Sequence, residues 1–329
     1  MPTITNTRDD TRFLCEPGDT VLRAALRAGI GMPYSCNTGS CGNCRFDLVE
    51  GEVSHLRDDP PGLSEKDRAK NRWLGCQAVP GGDCQVKFRT MDQYVPPVTP
   101  ARRGAELQSV EPITRDISEF AFRVDGAGAF SPGQYALLTV PGVEGARAYS
   151  MSNLAGDTWR FMIKRAPGGA ATGWLFDAAP GATLEIDGPF GTAFLREDSD
   201  RDIVLLAGGS GLSPMVSIAL GAVAAGLHDN RKIHLFYGCR ETADLCTPDV
   251  LGPAQGKVGF TAALSDPEDG ADWEGPTGFL HDVVRDQMGE ALKDCDLYFA
   301  GPAVMSAAVQ QMAHEAGMPM DRLFFDEFY

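Results

Sequence analysis

Four cysteines in the first quarter of the chain have types and spacing that could do chemistry. Cys36, Cys41 and Cys44 stand in the run Cys36-Asn-Thr-Gly-Ser-Cys41-Gly-Asn-Cys44, and Cys76 in Leu74-Gly75-Cys76-Gln77. The pattern C-x4-C-x2-C…C is the ligand spacing of a plant-type [2Fe–2S] cluster held by four thiolates. Such a cluster moves one electron at a time, so the rest of the chain should contain a donor and a route to an acceptor. Three thiolates must turn inward within one short loop, with backbone N–H groups aimed at sulfur. Gly39, Gly42, Asn37 and Asn43 suit that loop, since Gly and Asn adopt positive φ most readily. Zinc also takes four cysteines, but its usual signature is two C-x2-C pairs, and Cys76 has no close partner. Cys84 is the rival for fourth ligand; it follows Gly81-Gly82-Asp83 and reads as the start of a strand. Cys15, Cys239, Cys246 and Cys295 are scattered and read as small apolar residues.

The elements that must position this loop are short. Thr20 to Gly29 reads as an amphipathic helix capped by Asp19 or Thr20 and stopped by Gly29. Arg45 to Glu50 alternates like a strand, as does the stretch from Cys84 to Arg89. Together residues 1–94 form an expected α+β unit. Residues 95–103 are Pro-rich and polar and read as a semi-extended linker. From 104 to 197, short β runs separated by Gly/Pro turns predict an antiparallel barrel. From 198 to 329, strands alternate with helices at 214–225 and 303–316, which predicts a parallel α/β unit.

Those two later units carry their own motifs. Pro132-Gly-Gln-Tyr135 precedes Arg147-Ala-Tyr149-Ser150, and Lys164-Arg-Ala-Pro-Gly-Gly169, Thr172 and Gly188-Pro-Phe190-Gly191 follow. The stretch Ala207-Gly208-Gly209-Ser210-Gly211-Leu212-Ser213-Pro214 comes after a buried strand and opens a helix, where a glycine loop can offer N–H groups to a phosphate. It is neither a P-loop nor a strict G-x-G-x-x-G.

In this order the motifs resemble the ferredoxin–NADP reductase superfamily, with a plant-type ferredoxin (β-grasp) fused ahead of a FAD barrel and an NAD domain. The resemblance covers nearly the whole chain. It implies that Arg147 pairs with the FAD pyrophosphate, Tyr149 packs on the isoalloxazine and Ser150 sits near flavin N5. It further implies that Lys164, Gly169, Thr172, Gly188 and Phe190 belong to the flavin site, and Gly208, Gly209, Gly211, Pro214, Arg240, Gly301 and Pro302 to the nicotinamide-dinucleotide site. A C-terminal aromatic stacks on the flavin in the family, a role that falls on Phe328, with Tyr329 beside it. Where the family usually has Cys-Gly-Pro-Pro, this chain has Ala300-Gly-Pro-Ala303, so no thiol is expected beside the nicotinamide. Glu241, next to Arg240, argues against a 2′-phosphate and so for NADH.

Pro33-Tyr-Ser-Cys, Lys70-Asn-Arg-Trp-Leu-Gly-Cys-Gln and Pro276-Thr-Gly-Phe most resemble the reductases of toluene and xylene monooxygenases, with naphthalene dioxygenase reductases similar. The implied activity is electron transfer from NADH through FAD and the cluster to an oxygenase component or a small Rieske-type ferredoxin. The same layout also resembles reductases serving a sugar dehydratase, and a redox-sensing interaction module is the reading from another class.

Composition sets outer bounds. The 329 residues are 43% hydrophobic and 22% charged, with net charge −16, which disfavours nucleic acid as a partner. The acidity is uneven: residues 1–98 hold 12 Lys+Arg and 13 Asp+Glu, the remainder 17 and 32. The cluster-bearing segment therefore offers little electrostatic steering. No apolar run is long enough for a membrane span. The first residues lack the charged and apolar regions of a signal peptide, so a cytoplasmic protein is expected; nothing in the sequence requires more than a monomer.

Overall fold

The structure, a computed structural model, describes residues 1–126, 128–267 and 272–326. Three large β-sheets follow one another along the chain, and a two-stranded sheet of Val53–His55 and Ala78–Pro80 belongs to the N-terminal part. The first is five-stranded, in the order Thr11–Leu14, Thr3–Asn6, Cys84–Lys87, Arg45–Glu50, Arg72–Leu74. The helix Val21–Arg27 packs on it, its start fixed by Thr20, whose hydroxyl accepts from the Arg23 N–H. Val21, Leu22, Ala25 and Leu26 are buried against Ile4, Phe46, Leu74 and Val86. Sheet and helix therefore share one apolar core, and the cysteine loop hangs from its edge.

The second sheet has six antiparallel strands ordered Arg147–Ser150, Tyr135–Thr139, Thr183–Phe190, Ala101–Pro112, Ile117–Val124, Thr158–Lys164. An antiparallel bridge between Met151 and Phe161 brings the two outer strands together, so the sheet curls into a nearly closed barrel. Its strand Ala101–Pro112 begins inside the span read as linker. The reason is local pairing: Ala101 sits opposite Gly188, and Arg102 opposite Asp187.

The third sheet is parallel, in the order Gly259–Leu264, Ile233–Cys239, Ile203–Gly208, Asp296–Ala300, Leu323–Phe324. Strand Ile203–Gly208 is buried throughout, as expected for a strand covered on both faces. Ile203, Leu205 and Ala207 face the helix Leu212–Ala224. Val204 and Leu206, pointing the other way, face the helices Leu280–Met288 and Ala303–Glu315. This layering places the turn at Gly209 at the carboxyl end of a central strand, where open α/β sheets bind ligands.

The N-terminal unit is joined tightly to the barrel. Tyr135, Leu137 and Phe190 of the barrel belong to the same buried cluster as Phe46, Leu74 and Val86. Arg27 makes hydrogen bonds of 3.0 and 2.8 Å to the two carboxylate oxygens of Asp187 and one of 3.0 Å to Asp19. Arg102 adds a second cation, 3.2 Å from Asp19. The barrel is welded to the third unit by two serines one turn apart on helix Leu212–Ala224. Ser213 donates to the Ser150 carbonyl at 2.7 Å and Ser217 to the Asn153 carbonyl at 2.8 Å. Among the described residues no helix is long and apolar enough to cross a membrane.

Candidate functional site

The cysteine loop is built as the chemistry of a two-iron cluster requires. Asn37, Gly39 and Gly42 all take positive φ, at 55°, 86° and 80°. Gly42 has a second reason to be glycine: a Cβ there would lie 2.7 Å from the Gly62 carbonyl oxygen. The thiols come as two interacting pairs, Cys36 with Cys41 and Cys44 with Cys76. Among the described residues, no three His, Cys, Asp or Glu side chains are grouped as ligands of one metal ion. Two pairs of thiols match a cluster whose two irons each take two cysteines.

Backbone donors already point at sulfur. The N–H groups of Thr38 and Cys41 each lie 3.4 Å from Cys36 Sγ, that of Asn43 3.5 Å from Cys41 Sγ, and that of Cys76 3.5 Å from Cys44 Sγ. The Cys41 thiol and the Thr38 and Cys41 amides pull the Cys36 thiol well below its ordinary range. Asn37 is 1% exposed, and its Nδ2 has no hydrogen-bond partner in the structure; its Oδ1 accepts from the buried Arg23 at 3.3 Å. An orphaned buried donor at this place fits an anionic cluster that accepts from it. Cys36, Cys44 and Cys76 are buried, and Cys41 is partly exposed. Cys84, the rival ligand, instead lies on the first sheet and donates to the Glu52 and Gly82 carbonyls.

A cleft of about 990 Å³ opens between the barrel and the third sheet, a size suited to organic cofactors. Of the residues read from the sequence, it gathers Tyr149, Ser150, Lys164, Gly208, Gly209, Gly211, Pro214, Arg240, Gly301 and Pro302. Gly209 has φ +55° and open space where a Cβ would stand. The Gly209–Gly211 turn runs directly into helix Leu212–Ala224, whose start has no side-chain cap. Its first N–H groups are therefore uncommitted to a side chain and sit beside the cleft, an arrangement that fits a pyrophosphate.

Other expected residues lie elsewhere. The exposed Arg147 folds its guanidinium onto the carbonyls of Glu144, Gly145 and Ala146. The Thr172 hydroxyl turns back on its own loop, bonding Ala166 and Gly169. Gly188 pairs with Ala101 in the barrel. Phe190 is buried against Tyr135, their ring centroids 6.0 Å apart. Phe328 and Tyr329 lie outside the described residues. The Glu241 carboxylate meets Arg115, a residue on the cleft wall, at 2.7 Å. The acidic neighbour of Arg240 in space is Asp266, at 3.3 Å. Lys164 is paired with Asp116 at 2.9 Å.

Several further groups at the site join segments that lie far apart in the chain. Tyr135, part of Pro-Gly-Gln-Tyr, donates its hydroxyl to the Ser35 carbonyl at 2.6 Å. The Asp326 carboxyl is enclosed at the junction of the units, where it accepts from the Thr192 N–H at 3.1 Å; burial pushes it up to about 6. Cys239, Phe279 and Leu280 also line the cleft.

Three family models match in series: the 2Fe-2S iron-sulfur cluster binding domain over residues 4–81, the oxidoreductase FAD-binding domain over 104–194 and the oxidoreductase NAD-binding domain over 205–311. Fold and site thus define an oxidoreductase with iron–sulfur, flavin and nicotinamide domains on one chain. It belongs to the ferredoxin–NAD(P)+ reductase components of the ferredoxin–NADP reductase superfamily.

A ferredoxin–NAD(P)+ reductase of Metapseudomonas resinovorans is 38% identical, covering 96% of each chain. The ferredoxin–NAD+ reductase component of an alkene monooxygenase system of Xanthobacter autotrophicus is 41% identical over 97% of this chain and 98% of its own. The xylene/toluene monooxygenase electron transfer component of Pseudomonas putida is 30% identical over 97% and 91%. In structure, the ferredoxin reductase in carbazole 1,9a-dioxygenase superposes with a TM-score of 0.92 at 34% identity, covering all of this chain and 98% of its own.

Proposed function

We propose that the chain draws electrons from NADH and delivers them, through FAD and the [2Fe–2S] cluster, to an oxygenase component or a small Rieske-type ferredoxin. When bound, the flavin converts a two-electron donor into single electrons, and the cluster carries them one at a time. The observation that carries this reading is one register pair. Ser150, on the cleft, stands opposite Tyr135 in the barrel, and Tyr135 touches the residue before Cys36. Cleft and cluster loop are thus back to back across two strands.

The chain's residues divide the work. The Gly208–Pro214 turn and helix start hold the dinucleotide pyrophosphate, and Tyr149 and Ser150 present the flavin to it. Cys36, Cys41, Cys44 and Cys76 hold the cluster, with Cys41 on the side open to an acceptor. The names of the relatives, reductases of monooxygenase and dioxygenase systems, support an oxygenase as customer. One copy contains all three cofactor domains, so a monomer is complete. For the nucleotide, Asp266 occupies Arg240 and sets a negative charge where a 2′-phosphate would approach, which favours NADH.

Anaerobic mixing of the reconstituted chain with NADH and with NADPH tests this. Flavin bleaching and then cluster reduction are expected with NADH at the lower concentration, and product formation when a diiron or Rieske oxygenase component is added. A cluster that stays oxidised while the flavin is reduced overturns the relay.

A further inference from the structure

The cluster loop is stitched to the barrel by two consecutive residues. Tyr34 and Ser35 immediately precede the ligand Cys36. Tyr34 Oη accepts from the Gly191 N–H at 2.9 Å, and the Ser35 carbonyl accepts from Tyr135 Oη at 2.6 Å. The two barrel partners are themselves in contact, since a Cβ on Gly191 would lie 3.0 Å from Tyr135 Cδ1. Tyr135 is fully buried. Its strand pairs in register with Ser150 on one side and with Phe190 on the other.

A buried tyrosine hydroxyl needs some partner, but it does not need one in another domain beside a metal ligand. The choice has a chemical consequence. Electronic coupling falls less across bonds and hydrogen bonds than across gaps, and the Tyr135–Ser35 bond joins the strand paired with Ser150 to the backbone of the Cys36 loop without a gap.

We infer that Tyr135 is a positioning residue for electron transfer within the protein: its hydroxyl holds the Cys36 loop against the flavin-side strands, so that the cluster is filled in the docked arrangement. This role rests on the relay proposed above. The step it serves moves one electron out of the flavin and one into the cluster, with no bond formed or broken between the two centres. Tyr34 closes the same clasp from the opposite direction.

The test is Tyr135→Phe in the full reconstituted chain, which keeps the ring and removes the hydroxyl. Two quantities are read: the ratio of the cluster-reduction rate to the flavin-reduction rate after anaerobic mixing with NADH, and amide exchange at residues 34–36 in the oxidised protein. Exchange at 34–36 should speed up by up to about tenfold, the order by which a lost hydrogen bond shifts a local opening equilibrium, and the ratio should fall while iron content holds. A variant with the wild-type ratio and wild-type exchange overturns the role of Tyr135. A wild-type chain whose cluster NADH never reduces overturns the relay itself, and this role with it. Should Tyr135→Phe fail to fold, Tyr34→Phe reads the same clasp from the cluster side: a fall in the ratio supports the proposal and an unchanged ratio overturns it.

Discussion

Arg27 and Asp187 stand 160 positions apart and meet in a two-pronged ion pair, with hydrogen bonds of 2.8 and 3.0 Å. Both side chains are largely buried, and so is Asp19 beneath them. A planar guanidinium matches a carboxylate in this way with a fixed orientation. The pair therefore sets the angle at which the cluster-bearing unit meets the barrel, beyond what its shared apolar core does.

Replacing Arg27 by Met leaves two buried carboxylates with only Arg102 nearby. Removing one partner of a buried pair costs about 3–5 kcal/mol, and Arg102 should hold the loss to about 3. The check is the denaturation midpoint of Arg27→Met, with Arg27→Met/Asp187→Leu recovering part of the loss. Equal midpoints for the single variant and wild type would show the pair to be idle.

Cys76→Ser should lose the cluster and its visible absorbance, since the Cys44–Cys76 pair then lacks one thiolate ligand or binds through a weaker hydroxyl. Cys84→Ser should keep full iron content, because its thiol points at the Glu52 and Gly82 carbonyls and not into the cysteine loop. Iron and sulfide analysis of the two purified variants separates them, and retention of iron by Cys76→Ser would reassign the fourth ligand.

Ser213 both donates to the Ser150 carbonyl and accepts from the Met162 N–H at 3.1 Å, and it is 2% exposed. In Ser213→Ala the buried Met162 N–H is orphaned, a cost of about 1–3 kcal/mol. The strand carrying Tyr149 and Ser150 also loses its tie to the helix after the glycine turn. A lower melting temperature and weaker flavin retention on gel filtration are expected together; a loss of stability with unchanged flavin affinity would confine Ser213 to a scaffold role.

Asp326 gives the protein a pH dependence of unusual sign for a carboxyl. Burial raises it from 3.8 to about 6, so between these values the folded chain keeps a proton that the unfolded chain has lost. Its stabilising contribution is full below about 4 and is lost as pH rises through about 6. Asp326→Asn, which cannot ionise, should gain in melting temperature relative to wild type across that window. Parallel melting curves of the two proteins from pH 4 to 7 would contradict it.

The cysteine loop was legible because its chemistry is local: four thiols, small neighbours and one helix dictate it. The glycine turn was legible for the same reason, as strand, turn and helix adjoin in sequence. What escaped notice joins distant segments. Nothing near Ser35 announces Tyr135, and nothing near Arg27 announces Asp187. The partners of Arg240 and Glu241 were not legible, because adjacency in sequence is not adjacency in space; the two side chains part, Glu241 to Arg115 and Arg240 to Asp266. Thr172 looked available for phosphate, but a hydroxyl one helical turn past a loop readily caps that loop instead.

Gly191, Thr192 and Ala193 spend three successive amides on two different parts of the molecule. The first N–H goes to Tyr34 of the cluster-bearing unit, and the next two to the Asp326 carboxyl of the C-terminal strand's extension. A Cβ on Gly191 would stand 2.6 Å from that carboxyl. The chain is assembled from parts that relatives could in principle exchange, yet this tripeptide is a shared joint. A recombinant that swaps in a foreign ferredoxin or a foreign tail must bring a matching hydroxyl and carboxyl with it, and a cut in the Pro-rich stretch leaves this joint unmatched.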